Sequence, residues 1–208
     1  MKKIKNLSLL LLILSILTFF TPAKAELKVV TSIKPIHSLA SYLMDGIGKP
    51  DLIVDGYASP HGFSMKPSHA KMLQNADLIF WVGEDLESFL EKPLSSIAKK
   101  AEKIELMSIK GLTVLRFREK NISDKHDYKE KGKKHADHKE KAHDGHAHGK
   151  YDPHIWLDTM NAKAMLNEMA EHLIENDPKN EAKYKSNLDK ALKDIDKLTI
   201  EVMTDLSN

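Results

Sequence analysis

Two histidines stand in short segments where packing gives no reason for an imidazole. His61 lies in Tyr57-Ala58-Ser59-Pro60-His61-Gly62-Phe63, a Pro/Gly stretch after a predicted strand. His154 lies in Asp152-Pro153-His154-Ile155-Trp156-Leu157-Asp158, fixed behind a proline and ahead of an apolar segment that should anchor it to the core. Asp152 is spaced to orient the His154 ring, as carboxylates do for metal-bound histidines. A third group is His126, His135, His138, His143, His146 and His148. Imidazoles at that density form a dispersed site for borderline metals such as zinc. Each feature also has a plainer reading: a surface-loop histidine for His61, mere packing for Pro153 and Trp156, and a solvated polar linker for the tract. His37, His69 and His172 fall in predicted helices and read as surface or half-buried structural residues.

The elements that must position these residues follow from periodicity. Strands are expected at Leu27 to Thr31, Leu52 to Val54, Leu78 to Val82, Ile104 to Leu106 and Leu112 to Leu115. Helical spacing links Ile36, Leu39, Ala40 and Leu43 after Pro35, and further helices are expected at Ser68 to Asn75, Leu86 to Leu90 and Pro93 to Lys100. Leu78-Ile79-Phe80-Trp81-Val82 is continuously apolar, as in a strand buried on both faces of a parallel sheet. The alternation indicates an α/β fold with a mainly parallel sheet flanked by helices. Ligands in such folds sit at the carboxyl ends of the strands, where the His61 and His154 loops should emerge.

From Asn121 to Lys150 no apolar periodicity survives: eight Lys, six Asp or Glu and six His fill the stretch, which reads as a flexible metal loop, disordered without metal. Order returns at Tyr151. Asp158 can cap a helix carrying Met165, Leu166, Met169, Leu173 and Ile174. After Asp177-Pro178, the residues Tyr184, Leu188, Ala191, Ile195, Leu198, Val202 and Leu206 form one apolar stripe on a long helix. At 1.5 Å per residue it would run about 40 Å, and a stripe of that length needs a surface to lie on.

The N-terminus reads as an address. Lys2, Lys3 and Lys5 precede an apolar run from Leu7 to Phe20, and Ala23-Lys24-Ala25 supplies small residues before a cut. This is the build of a secretory signal peptide over residues 1–25, cleaved after Ala25; the rival, a retained anchor, is short against the about 20 residues a span requires. That segment holds four lysines and no acid, so 28 of the 32 Lys and Arg remain against 30 Asp and Glu. A nucleic-acid partner has no electrostatic footprint in such a chain. With no Cys, disulfides, thiolate zinc sites and thiol nucleophiles are excluded. There is no His-Glu-x-x-His, nucleophile elbow, phosphate loop or dinucleotide fingerprint, so no catalytic residue is assigned and the chain is read as a non-enzyme.

Taken together, Pro60-His61-Gly62-Phe63, Leu73-Gln74-Asn75-Ala76-Asp77-Leu78, Trp81-Val82-Gly83, the His-rich insert and Asp152-Pro153-His154-Ile155-Trp156-Leu157-Asp158 resemble the periplasmic zinc-binding (ZnuA-like, cluster 9) solute-binding subunits of ABC importers. The resemblance implies two α/β lobes joined by a long helix, with metal in the cleft between them. His61 and His154 would be the ligands from the first lobe, and the insert an auxiliary metal-gathering element. It implies zinc as transported ligand in high-affinity uptake and a membrane permease as partner. A second lobe would add a third His and an acidic residue. Residues 26–120 and 151–177 would then form the first lobe, 121–150 the insert and 178–208 a truncated connecting helix, the second lobe being lost or separately encoded. Pro60 stands where some relatives have Glu, and Thr159 where Pro often follows. Two other functions remain open: a periplasmic zinc buffer working through the insert, and a manganese or iron binder. Hard cations favour carboxylates over a His-dense set.

Overall fold

A computed structural model of the chain describes residues 26–117 and 150–207. Its centre is a four-stranded, wholly parallel sheet: β1 (Val29–Ile33), β2 (Asp51–Val54), β3 (Leu78–Trp81) and β4 (Glu102–Glu105), in the spatial order β2-β1-β3-β4. β1 and β3 are buried along their whole length. For β1 this includes Thr31 and Ser32, so the strand runs two residues beyond the end its apolar pattern suggested and starts at Val29. Lys28 instead caps the neighbouring turn: its amide donates to Asp77 Oδ2 at 2.8 Å and its carbonyl accepts from the Asp77 and Leu78 amides.

The helices are α1 (Lys34–Leu43), α2 (Pro67–Asn75), α3 (Glu84–Ser96), α4 (Thr159–Asn176) and α5 (Glu181–Leu206). β2 lies on one side of β1 and β3 on the other, so right-handed crossovers send α1 to one face of the sheet and α2 and α3 to the opposite face. In keeping with this, α1 packs on α4 and α5, whereas α2 packs on α3. Phe80, Ile36, Leu43, Leu73 and Leu90 are all fully buried in the resulting core. Asn187 of α5 donates to the carbonyls of Leu43 (2.7 Å) and Asp45 (2.9 Å), satisfying the open end of α1.

Asp158 caps α4 as expected, accepting from the amides of Met160 (2.7 Å) and Asn161 (3.2 Å). The long helix is also present, at 26 residues. Its apolar stripe is covered only at the start: Tyr184 and Ala191 are buried, while Leu198 is 45% and Leu206 82% exposed. No helix among the described residues is long and apolar enough to cross a membrane.

Two expectations need correction. The helices expected at 86–90 and 93–100 are one element ending at Ser96, with a kink at Glu87 (φ −115°, ψ 49°) and Pro93 inside it. The stretch Leu112 to Leu115 is not a strand. The Asn161 side chain takes both backbone groups of Thr113, accepting its N–H at 2.8 Å and donating to its carbonyl at 2.9 Å, so the sheet-pairing groups are already used. The same amide donates to the Ile155 carbonyl at 3.1 Å, tying this segment to the turn that carries His154.

The Glu87 kink has a buried cause. Glu87 Oε2 accepts from the amides of Val82 and Gly83, both at 2.9 Å, bracing the carboxyl end of β3. Its Oε1 is enclosed beside the Ser32 hydroxyl, and neither of these atoms has a hydrogen bond of good geometry. Gly83 has φ +155°, and a Cβ there would meet Glu105 Oε1 at 2.8 Å, so the turn requires glycine. Burial pushes the Glu87 carboxyl up to about 7, against the nearby Ser32 hydroxyl and the hydrogen bonds from Gly83 and Val82 that pull it down.

Two outcomes follow. Asn161→Ala strands the buried Ile155 carbonyl and the part-buried backbone groups of Thr113, and should cost about 1–3 kcal/mol in urea unfolding. A Glu87 carboxyl near 7 when folded and 4.5 when unfolded gives the folded state the extra proton between those values. Stability should therefore fall as pH rises through that window, by about 3 kcal/mol in all. Urea titrations at about pH 5 and about pH 8 should show this fall in the parent and a flatter profile in Glu87→Gln.

Candidate metal-binding site

His61 sits in the loop between β2 and α2, and its amide donates to Ser59 Oγ at 3.2 Å. Gly62 follows at φ +80°, a turn that an L side chain rarely makes. The loop is pinned just beyond: the Phe63 ring stacks on His69 with centroids 5.4 Å apart and tilts against Phe89 at 5.1 Å. His69 is buried, and its Nδ1 accepts from the Lys66 amide at 3.1 Å, closing the first turn of α2. Its role is structural, as its helical position suggested. The apolar neighbour is therefore rigid while the His61 ring stays exposed.

His154 is held by the turn that precedes α4. Buried Ile155 seats the 3-10 turn Ile155–Leu157, and Trp156 meets the His154 ring edge-on at 5.2 Å. Asp152 Oδ1 accepts the His154 amide at 3.0 Å and lies 2.6 Å from Nδ1. The backbone bond first, and the ring second, hold the Asp152 carboxyl below its usual value. A carboxylate at Nδ1 selects the tautomer with its proton there, leaving the Nε2 lone pair for an electrophile.

The two rings converge. Their centroids are 5.8 Å apart at an interplanar angle of 47°. With Zn–N bonds of about 2.0–2.1 Å in a tetrahedron, two imidazoles on one ion have centroids roughly 5 Å apart, close to this spacing. Both rings border an open groove of about 380 Å3 whose wall includes Ile33 and Val54, the last residues of β1 and β2. The groove thus opens at the carboxyl ends of the strands, where the fold class led us to expect a ligand.

The other expected participants fall elsewhere. His126, His135, His138, His143, His146 and His148 lie outside the described residues, as does the predicted signal peptide. His37 is half-buried, with Nε2 3.1 Å from the Pro50 carbonyl and Nδ1 3.4 Å from Ser41 Oγ, a packing role. Glu87, bracing the rim beneath the loops, was not singled out from sequence; the acidic run after Gly83, at a strand-to-helix turn, was its only signal.

The model of the zinc-uptake complex component A family, periplasmic (ZnuA), matches residues 29–208. The high-affinity zinc uptake system protein ZnuA of Brucella abortus is 38% identical over 192 residues, covering 86% of this chain and 58% of that protein. Its counterpart in Yersinia pestis is 36% identical over 167 residues, covering 79% and 51%. The chain thus spans little more than half the length of these relatives. Among solved structures, the Zn(II)-bound ZnuA-like domain of Streptococcus pneumoniae AdcA superposes with a TM-score of 0.61 at 16% identity, covering 84% of this chain and 53% of that one. The Mn-bound periplasmic metal binding protein of candidatus liberibacter asiaticus gives 0.63 at 19%, covering 85% and 56%. At such identities these two structures speak for the fold, while the family model and the closer sequence relatives speak for descent: the chain belongs to the ZnuA family of periplasmic zinc-uptake components.

Proposed function

We propose that this chain carries the zinc-capturing lobe of a solute-binding protein for high-affinity zinc uptake, exported to the periplasm and delivering its ion to the membrane permease of an ABC importer. The observation that carries this reading is the approach of His61 and His154 to 5.8 Å between ring centroids, from loops far apart in sequence. In this reading zinc is cargo. His61 and His154 donate imidazole nitrogens, Asp152 orients His154, and the exposed His61 and half-buried His154 leave room for further ligands to complete the shell. The names of the Brucella and Yersinia relatives support zinc as the ion. The His-rich insert would gather metal beside this site, and residues beyond a single lobe would supply the remaining ligands, as they do in the two-lobed plan the resemblance implies.

Manganese has one observation in its favour, the Mn-bound neighbour of like fold. Two imidazoles favour zinc over a hard cation. A titration with zinc in the presence of excess manganese should leave the zinc isotherm nearly unchanged; its collapse would transfer the assignment to manganese.

Calorimetric zinc titration of the processed protein tests the two-loop site. The variant carrying His61→Ala and His154→Ala should lose the tightest binding event, while weak events from the insert persist. Asp152→Asn should weaken the tight event by about 10–100-fold, as loss of a ring-orienting carboxylate does. A double variant that binds like the parent would overturn the assignment and leave the buffering role of the insert as the better account.

A further inference from the structure

At the opposite rim of the sheet, the geometry points to a second divalent-cation site, built from His172 of α4, Glu102 at the start of β4 and Glu175, with zinc the ion its mixed nitrogen and oxygen donors suit. One ligand atom from each of these residues can be drawn so that all lie within 4.8 Å of one another. His172 Nδ1 is 2.8 Å from Glu102 Oε1 and 3.9 Å from Glu175 Oε2. On the other side of the ring, Nε2 lies 3.4 Å from Glu168 Oε1.

Three arguments favour a metal ion over a plain ion pair. The first is geometric. Nδ1 is fully enclosed yet makes no hydrogen bond, because the near Glu102 oxygen lies off the direction in which an Nδ1 proton would point. With the ring proton on Nε2 toward Glu168, the Nδ1 lone pair faces carboxylate oxygens, a repulsion that a cation shared by these atoms relieves. The second is charge. Glu102, Glu168 and Glu175 meet a single imidazole, and none of the three pairs with Lys or Arg within 4.0 Å among the described residues. They also gather at the last turns of α4, where the helix dipole already contributes negative potential and favours a cation. The third is preorganisation. Asn176 Nδ2 donates to Glu102 Oε2 at 2.7 Å and to the His172 carbonyl at 2.9 Å, holding the carboxylate with its other oxygen toward the ring.

One nitrogen and two carboxylates leave a fourth position for water, the open pattern zinc accepts. An ion there would join β4, an edge strand, to α4. This site shares no residue with the His61–His154 pair, so neither assignment depends on the other.

The test is long-range 1H–15N imidazole spectroscopy of the protein during zinc titration, with the His172 signals identified by their loss in His172→Gln. A metal site predicts that zinc displaces the His172 Nδ1 resonance, and does so equally in the His61→Ala, His154→Ala background. Glu102→Gln combined with Glu175→Gln, both at partly exposed positions that the fold tolerates, should weaken that response by about 10–100-fold. His172 resonances of an imidazolium unmoved by zinc, or an unchanged response in the carboxylate variant, would overturn the site and leave a salt-bridged histidine.

Discussion

Parallel pairing on both sides of β1 is the constraint from which the rest of the molecule follows. A strand bonded in parallel to β2 and β3 must be buried on both faces, and its neighbours must end at the same rim. Because the chain moves to one side of β1 for β2 and to the other for β3, its crossovers separate onto opposite faces and open a crevice at the switch point. The loop after β2 and the turn before α4 both border that crevice. Two imidazoles meet there because the backbone has no other common edge at which to place them.

Support and chemistry are divided between neighbouring residues. Phe63, His69 and Phe89 immobilise the loop, and Pro153, Ile155 and Trp156 immobilise the turn. The two imidazoles themselves stay accessible, so an ion bound as proposed would gain nitrogen donors without the core opening. Beneath the rim, Glu87 accepts backbone amides that the strand end and kinked helix start would otherwise leave unpaired. Placing a carboxyl in that dry position raises its pKa, so the brace carries an intrinsic pH dependence.

The two rims differ in electrostatic design. At the carboxyl rim a single carboxylate, Asp152, is matched to one imidazole and held ionised by backbone and ring. At the amino rim three glutamates crowd one imidazole at a helix C-terminus. The first arrangement orients one imidazole through its Nδ1. The second concentrates negative potential around one imidazole.

Most helices and the order of elements were legible in the sequence, because apolar spacing, Pro35, Asp158 and Asp177-Pro178 are local signals acting over one or two turns. The candidate pair was visible too: His61 and His154 were singled out as loop histidines, and the Asp152 spacing anticipated its contact with the His154 ring. What was not legible came from partners distant along the chain. Thr31 and Ser32 look polar but are buried by strands on both sides. Leu112 to Leu115 looks like a strand until Asn161, on a helix 48 positions away, takes the Thr113 hydrogen bonds. Glu87 was not singled out and His172 read as a surface or half-buried structural residue; burial and the approach of Ser32 or Glu102 gave them character. Local composition thus determined which side chains were available and which segments would coil or extend. The tertiary structure alone decided which of them share a site, since that is set by hydrogen-bonded sheet order and not by distance along the polymer.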